Sequence, residues 1–464
     1  LVKKLVKRGS AVVYDNKNGS FTGEYERKGL LKALVKTAKD EGLPVYRISV
    51  YDENGLPVTA SLLKVFDQVT NLLRSKKAVS CYTPTMGGVA EAVMKMAFGN
   101  GLGFRYNECL DKNAIFGYNY GSFLLEVTED TDDGILIGTI TDDATISYKN
   151  EVLKLAELSD IYESKLESVF KCNIKDSKSP MQNFEYTATE RVAPAIKVAK
   201  PKVLIPVFPG TNCEFDSAKV MRDAGAEPQI FVINNQSSDG IARSVETFAN
   251  ELKDSQMIFI PGGFSGGDEP DGSGKFITAF FRNAAIKEQV TELLDKRDGL
   301  ICGICNGFQA LIKLGLLPYG KIIDTDENCP TLTFNTIARH QSKIVRTRIA
   351  SNKSPWLSNT NVGEIYNVPI SHGEGRFLAS EELIKKLAEN GQIATQYVDL
   401  DGNATSAVQF NPNDSMYAIE GITSPDGRVF GKMGHSERKG YGLYKNVPGE
   451  YDIKMFESAV KYFK

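Results

Sequence analysis

The sequence predicts an α/β protein: an open, mostly parallel sheet covered by helices in the second half, preceded by an α+β domain in the first half. Short apolar runs alternate with helical patterns after residue 200, which is typical of parallel, helix-covered sheets. A polar stretch over residues 171–200 carries Pro180 and Pro194 and has no sustained periodicity, so it predicts a linker. The predicted organisation is a domain over residues 1–170, a linker over 171–200 and a second domain over 201–464.

Composition excludes several classes of protein. The 464 residues are 42% hydrophobic and 24% charged, which is ordinary for a globular protein and excludes disorder as the main state. No apolar run approaches the ~18 residues that a membrane-spanning helix needs, so we expect no membrane partner. No basic patch suits nucleic acid, so we expect no nucleic-acid partner either. Seven sparse cysteines favour a reducing, cytoplasmic setting. The chain begins at Leu1 without a methionine, so we expect a piece of a longer protein.

The first half mixes strands and helices. Periodic apolar residues predict one helix over about residues 60–75 and another from Gly87 and Gly88 to Gly99. The loop over residues 82–88 either binds an anion at the N-terminus of the second helix or simply caps that helix. We find no catalytic constellation in this half. Strand candidates are residues 11–14, 45–50, 123–127 and 135–140.

The second half alternates strand and helix in order. Its first helix is N-capped by Thr211 or Asn212 and ends at Gly225. Because ligands of parallel sheets bind at the carboxyl ends of the strands, the loops after these strands are the candidate sites of chemistry. Predicted strands cover residues 202–208, 228–234, 257–260 and 299–304, and further helices cover about 240–253 and 274–296.

The strongest motif follows the last of these strands, at residues 303–307 (GICNG), and residues 308–314 look helical. This is the nucleophile-elbow pattern with cysteine at the nucleophile position. Glycines flank such a nucleophile because it lies on a strained, crowded turn, and the following helix directs its first amides at a thiolate. Cys305 is therefore a nucleophile or a buried structural cysteine, and the pattern favours the nucleophile.

Cys302 makes the same stretch a C-x-x-C pattern, which occurs in redox pairs and metal sites. A strand residue three positions before the turn points into the sheet, so core packing is the better interpretation. Zinc would need a second cysteine or histidine pair at ligand spacing, and the three histidines of the chain are not so placed. We therefore predict no metal site.

A cysteine nucleophile needs a base, and the candidates are His340, His372 and His435. His435 is followed two residues later by Glu437, and on an extended segment both side chains face the same way, so the carboxylate can orient the imidazole. His372 lies in a polar, glycine-rich loop, and His340 lies in a basic run typical of a solvated strand. The chemistry favours His435, then His372, then His340.

Residues 261–268 (PGGFSGGD) form a glycine-rich turn directly after a predicted strand. Such a turn exposes backbone N–H groups that suit a phosphate or an oxyanion. It lacks the pattern of a phosphate-binding loop. Read together with Cys305, it fits an oxyanion hole, because both would lie at carboxyl ends of strands in one sheet.

Five motifs follow one another through the second half: residues 209–214 (PGTNCE), 261–265 (PGGFS), 303–309 (GICNGFQ), 372–376 (HGEGR) and 434–438 (GHSER). In this order they resemble the class I glutamine amidotransferase domain of the phosphoribosylformylglycinamidine synthase family. Residues 80–88 and 95–100 look like the C-terminal half of the aminoimidazole-ribotide-synthetase-like module of the same enzymes. The resemblance implies an amidotransferase domain over 201–464 behind such a module.

The resemblance also implies roles for individual residues. Cys305 would attack the side-chain amide of glutamine, with His435 as base and then acid and Glu437 as the partner that orients it. His372 would be structural or would communicate between domains. The oxyanion and the bound glutamine would be met by Gly263, Phe264, Asn306 and Gln309.

The family further implies that the released ammonia is used, with ATP and Mg²⁺, to convert formylglycinamide ribonucleotide to formylglycinamidine ribonucleotide in purine biosynthesis. Those ligands would lie mostly in modules before Leu1, and the glutaminase step needs no cofactor. Two residues depart from the family pattern: Phe334, where arginine is frequent, and Ser436, where proline is frequent. The alternatives are a class I glutaminase serving another synthase and a non-catalytic protein that keeps the fold.

Overall fold

In a computed structural model of the protein, the described residues are 13–15, 20–22, 44–48, 58–117, 120–169, 179–264, 274–445 and 447–464. The chain divides into two compact units, Leu1–Cys172 with Tyr444–Pro448, and Asn173–Leu443 with Gly449–Lys464. No helix in the described ranges is long and apolar enough to cross a membrane. Residue 170 and residues 171–178 of the predicted linker lie outside the described residues.

The first unit is an α+β structure on a seven-stranded sheet of order β4-β6-β3-β7-β5-β8-β9, beside a separate β1-β2 pair. All its described pairings are antiparallel except that of β5 with β8. The described strands are β1 (Val13–Asp15), β2 (Ser20–Thr22), β3 (Pro44–Ile48), β4 (Ala78–Tyr82), β5 (Gly103–Tyr106), β6 (Phe123–Val127), β7 (Ile135–Thr141), β8 (Thr145–Tyr148) and β9 (Glu151–Lys154), and the helices are α1 (Thr59–Arg74), α2 (Gly88–Phe98), α3 (Lys112–Phe116) and α4 (Leu155–Ser164).

The N-terminus of α2 is capped by a side chain of the helix itself, that of Glu91. The Glu91 carboxylate accepts a hydrogen bond from the Gly87 N–H at 2.8 Å and another from the Thr85 hydroxyl. A carboxylate in the first turn also suits the positive end of the helix dipole. Of the two interpretations of residues 82–88, the structure favours the helix cap over an anion site.

Of the strand candidates in the first half, residues 11, 12, 49 and 50 lie outside the described residues.

The second unit contains a nine-stranded sheet of order β11-β10-β12-β13-β20-β19-β18-β15-β16 and a β14-β17 pair. Its described strands are β10 (Lys202–Val207), β11 (Glu227–Val232), β12 (Met257–Ile260), β13 (Leu300–Ile304), β14 (Thr331–Phe334), β15 (Gln341–Ile349), β16 (Ile365–His372), β17 (Glu374–Leu378), β18 (Ile393–Tyr397), β19 (Ile419–Thr423) and β20 (Val429–Lys432). Its described helices are α5 (Glu214–Asp223), α6 (Ser238–Asp254), α7 (Lys275–Phe281), α8 (Ala284–Asp295), α9 (Asn306–Leu314), α10 (Leu316–Tyr319), α11 (Glu381–Glu389) and α12 (Met455–Tyr462), with 3-10 turns at Pro355–Leu357 and Met416–Ala418.

The sheet of the second unit is mixed, so the expectation of a mostly parallel sheet is wrong in this detail. Four pairings, among β11, β10, β12, β13 and β20, are parallel, and the four that continue from β20 to β16 are antiparallel. Parallel neighbours need a crossover, and helices α5 to α8 lie in the crossovers that connect β10, β11, β12 and β13, whereas antiparallel neighbours need only a turn. The four strands predicted with bounds in this unit all lie in the parallel half, and the basic run after His340 is the antiparallel strand β15.

Two predicted helices differ in their bounds. The helix expected over 274–296 is two helices, because Asn283 leaves the helical conformation and its side chain accepts a hydrogen bond from the Ala285 N–H, which caps α8. The helix expected to be capped by Thr211 or Asn212 begins at Glu214. The Thr211 hydroxyl instead accepts from the Phe208 N–H at 3.1 Å and closes the preceding turn.

The centre of the sheet is fully enclosed. Every residue of β12 and β13 is buried, as is expected for parallel strands with helices on both faces. This rigid centre ends at Ile260 and Ile304, which directly precede the two loops singled out from the sequence.

Candidate active site

Cys305 lies between β13 and α9 in a strained turn, with φ 53° and ψ −106°. Positive φ is costly for a residue with a side chain, and such strain persists where the surrounding structure enforces it. The flanking glycines are required here: a Cβ on Gly303 would lie 2.6 Å from the backbone of Gly307, and a Cβ on Gly307 would lie 2.1 Å from the Ile260 carbonyl oxygen. The turn therefore has the geometry that the nucleophile-elbow pattern predicts.

His435 and Glu437 form a buried pair. Nδ1 of His435 lies 2.6 Å from Oε1 of Glu437, and the two side chains are 1% and 0% exposed. Among the described residues, no hydrogen-bond partner meets Nε2 of His435. An imidazole held at Nδ1 by a carboxylate and open at Nε2 is arranged to accept and return a proton.

Gly262 brings the imidazole and the thiol to one place. A Cβ on Gly262 would lie 2.6 Å from Cε1 of His435 and 3.4 Å from Cβ of Cys305. Both side chains therefore pack against a residue that has none. The Cys305 thiol donates a long hydrogen bond, 3.8 Å, to the carbonyl oxygen of Ser371.

The ionisation states of Cys305 and Glu437 fit a thiol that a base must deprotonate before it can react. Burial raises the pKa of the Cys305 thiol to about 12, helped by Cys213 and Glu437, while the Asn306 N–H and Arg438 act in the opposite direction. Burial also opposes ionisation of Glu437, but the charge and hydrogen bond of His435 hold the pKa of that carboxyl below its ordinary value. The site thus contains a neutral thiol beside an ionised carboxylate, so deprotonation of Cys305 needs an acceptor.

The loop after β12 approaches the same place, and one of its amides is already used. Gly263 has φ 148°, and its Cβ would lie 2.3 Å from the Gly210 carbonyl oxygen, so only glycine fits. The Phe264 N–H donates to that Gly210 oxygen at 2.8 Å. The Phe264 amide is therefore engaged within the fold, and a role for the amides of Gly263 and Asn306 at an oxyanion stays a prediction. Residues 265–268 of the predicted turn lie outside the described residues.

Gln309 is engaged with the protein itself. Its Oε1 accepts from Asn306 Nδ2 at 3.0 Å, and its Nε2 donates to the Glu374 carbonyl oxygen at 2.6 Å. The first bond lies within α9, and the second joins α9 to β17. The predicted proximity of Gln309 to bound glutamine stays a prediction.

The structure places all three histidines of the chain around this site. Burial, with His435 and His340 nearby, lowers the pKa of His372 to about 3, so this imidazole is neutral. His340 is exposed, its Nε2 lies 3.1 Å from the Ser371 hydroxyl, and its ring packs 5.9 Å from that of Phe264. Of the three histidines, His435 is the one whose described contacts include an ion pair with a carboxylate, that of Glu437.

His372 makes the stability of the second unit depend on pH. Its pKa is about 3 in the folded chain and near 6.5 when exposed, so the unfolded chain binds the extra proton between these values. The free energy of unfolding should therefore have its full value above about pH 6.5 and fall as the pH drops towards 3. We expect His372→Gln to flatten this dependence, measured as urea unfolding free energies at several pH values. An unchanged slope in the variant would contradict the burial of a neutral His372.

Sequence reasoning missed Cys213, which it quoted only as part of a motif. This buried thiol lies 3.8 Å from Nδ1 of His435 and accepts a hydrogen bond from Arg438 Nη2 at 3.1 Å. Burial, then the charge of Glu437, raises the pKa of Cys213 to about 12. The available signal was its place in the loop after β10, which opens at the same edge of the sheet as Cys305.

Cys213, His435 and Glu437 also have ligand atoms within 4.8 Å of one another, a spacing that a metal ion accepts. Within the described ranges, however, the Arg438 guanidinium lies against the sulfur and would repel a cation. The 2.6 Å separation of Nδ1 and Oε1 is that of a hydrogen bond. Cys302 is fully buried in β13 and packs in the core.

Residues 200–463 match the sequence profile of a family described as the CobB/CobQ-like glutamine amidotransferase domain. The chain belongs to this family. The amidotransferase predicted from five motifs is thereby confirmed, together with its α/β fold class.

Relatives of the amidotransferase domain carry a more specific name. A Methanococcus maripaludis protein named phosphoribosylformylglycinamidine synthase subunit PurQ is 37% identical over 260 residues, which are 56% of this chain and 88% of that protein. A protein of the same name from Aquifex aeolicus is 32% identical over 239 residues, covering 51% and 90%. A chain of the PurLQS structure from Thermotoga maritima is 26% identical, covers 57% of this chain and 100% of its own length, and has a TM-score of 0.41.

Proposed function

We propose that this chain hydrolyses glutamine to glutamate and ammonia with Cys305 as nucleophile, His435 as base and acid, and Glu437 as the carboxylate that orients His435. The observation that carries the proposal is the buried His435–Glu437 pair, 2.6 Å between Nδ1 and Oε1, packed with Cys305 around Gly262. The neutral thiol gains nucleophilicity only when Nε2 takes its proton, and Nε2 has no described hydrogen-bond partner.

In the proposed reaction the sulfur of Cys305 forms a bond to the side-chain amide carbon of glutamine while His435 takes the thiol proton. The oxygen that gains the electron pair accepts hydrogen bonds from the N–H groups of Gly263 and Asn306. The carbon–nitrogen bond then breaks, and the nitrogen leaves as ammonia with the proton from His435. Water, deprotonated by the same imidazole, attacks the thioester, and glutamate and the free thiol are released.

The proposal extends to the use of the ammonia. The relatives, each named as a subunit of phosphoribosylformylglycinamidine synthase, support a role of this chain in that synthase. We propose that the ammonia is used there with ATP, in the cytoplasm, to convert formylglycinamide ribonucleotide to formylglycinamidine ribonucleotide. The first unit would be an aminoimidazole-ribotide-synthetase-like module of that enzyme. No residue of this chain is assigned to the ATP or Mg²⁺ of that reaction.

A covalent label tests the glutaminase site directly. We expect a diazo-ketone analogue of glutamine to add one equivalent to the chain, on the peptide that contains Cys305, and excess glutamine to block the addition. Peptide mass spectrometry, with glutamate release assayed in parallel, separates Cys305 from the neighbouring Cys213. A label on Cys213 alone, or no label on the full-length protein, would refute the proposal.

A further inference from the structure

The segment that carries His435 and Glu437 rests on a buried ion pair between Lys432 and Glu420. Nζ of Lys432 lies 3.3 Å from Oε1 of Glu420, and both side chains are 0% exposed. Charges taken out of water are tolerated when each has an opposite charge and hydrogen bonds to fill its remaining valences. The described hydrogen bonds of these two side chains go to Gly434 and Ser436, which flank His435, and to Thr395 on β18.

The pair holds Gly434 from both sides. The Gly434 N–H donates to Oε1 of Glu420 at 2.6 Å, and Nζ of Lys432 donates to the Gly434 carbonyl oxygen at 3.3 Å. A Cβ on Gly434 would lie 2.7 Å from the Val368 side chain, so this residue packs closely against β16 and only glycine fits. The second oxygen of Glu420 accepts from the Thr395 hydroxyl on β18, which fixes the carboxylate.

The residue after His435 is bound to the same ammonium group. Nζ of Lys432 donates to the hydroxyl of Ser436 at 2.9 Å. Both chain neighbours of His435 are therefore attached to one buried charge, and the His435 N–H donates to the Pro369 carbonyl oxygen at 2.9 Å. The imidazole has little freedom to shift relative to β20.

Lys432 is also bonded to the nucleophile through its backbone. It ends β20, which pairs with β13 on one side and β19 on the other. Its carbonyl oxygen accepts from the Cys305 N–H at 2.9 Å. One residue thus holds the backbone of the nucleophile with its carbonyl group and both flanks of the base with its side chain.

We propose that Lys432 and Glu420 are positioning residues that set the distance between the sulfur of Cys305 and Nε2 of His435. This inference rests on the proposed glutaminase function. Neither residue reaches the substrate, and both act through the segment from Gly434 to Ser436. The roughly 10²-fold rate loss that accompanies a displacement of about 1 Å sets the size of the expected effect.

The test measures glutamine hydrolysis by the full-length protein with single and double substitutions. Lys432→Met fills the same space but removes the donor to Gly434 and Ser436, so kcat should fall about 10²-fold with KM for glutamine nearly unchanged. The double variant Lys432→Met/Glu420→Gln removes both charges and keeps an acceptor for the Gly434 N–H. We expect it to regain thermal stability relative to the single variant while kcat stays low.

Arg428→Met is the matched control, because Arg428 lies just before β20, at the end away from the site. Its guanidinium pairs with Asp426 at 2.6 Å and with Asp298 at 3.4 Å. Its loss should lower the melting temperature and leave kcat as in the parent protein.

Two results would overturn the inference: a folded Lys432→Met variant with kcat within about twofold of the parent, or a double variant whose kcat returns with its stability. If Lys432→Met does not fold, Ser436→Ala decides, since it removes one hydrogen bond and should still lower kcat several-fold at constant KM. An unchanged kcat there overturns the inference. A parent protein that neither releases glutamate nor takes the diazo-ketone label refutes the glutaminase function itself.

Discussion

Cys305→Ala should abolish glutamine hydrolysis, with a loss on the order of 10⁴-fold or more, because the proposed thioester forms on the sulfur of Cys305. In the full-length enzyme, synthesis supported by added ammonium should survive, since free ammonia bypasses the glutaminase step. The measurement is a pair of synthesis assays, one with glutamine and one with an ammonium salt. Cys305 is 5% exposed, and alanine keeps its Cβ and removes only the sulfur, so the substitution fits without disturbing the fold.

Cys329→Ala is the control for the loss of a cysteine as such. Cys329 lies in the loop before β14, where its sulfur contacts Tyr319 and Asp326. Both synthesis activities should persist in this variant. Loss of the ammonium-dependent reaction together with the glutamine-dependent one in Cys305→Ala would contradict the division of labour proposed for the two steps.

His435→Gln should produce the second large effect, a fall in kcat/KM of about 10²–10⁴-fold near neutral pH. The reason is the pKa of about 12 at Cys305: without a proton acceptor, the reactive thiolate must form by ionisation alone. The residual rate of the variant should therefore rise about tenfold per pH unit from pH 7 upwards, a slope that the parent protein lacks. Initial rates of glutamate release between about pH 7 and 10 measure it.

Two other variants make the assignment of the base falsifiable. Glu437→Gln keeps a hydrogen-bond acceptor for Nδ1 but removes the charge, so its loss should be smaller than that of His435→Gln. His340→Gln removes the exposed imidazole near Phe264. If His340→Gln were the inactive variant and His435→Gln retained full activity with no pH slope, the base would be His340.

Local sequence patterns were sufficient to predict the strands in the parallel half of the sheet. The apolar run at 257–260 coincides with β12, and the glycines around Cys305 identified a turn whose strain is a property of a few neighbouring residues. The choice of His435 was also local, because its carboxylate partner is two residues away.

Features that depend on distant residues were not predictable in this way. Lys432 and Glu420 look like surface charges in the sequence, yet both are fully buried, and their pairing arises only when β19 and β20 lie side by side. Cys213 reaches His435 across 222 positions of the chain. The antiparallel half of the sheet was missed because its strands carry polar residues that the core accommodates, such as Thr395 and Gln396 on β18.

The place of β20 in the sheet has a consequence for the newly made protein. This strand is parallel to β13 and antiparallel to β19, and it is the last strand of the sheet to leave the ribosome. Until it arrives, β13 has an unpaired edge, open to association with other chains, and His435, which follows β20, cannot yet lie beside Cys305. In the proposed mechanism, a nascent chain therefore contains Cys305 long before it contains the base, and the onset of glutamine hydrolysis would report the insertion of the final strand.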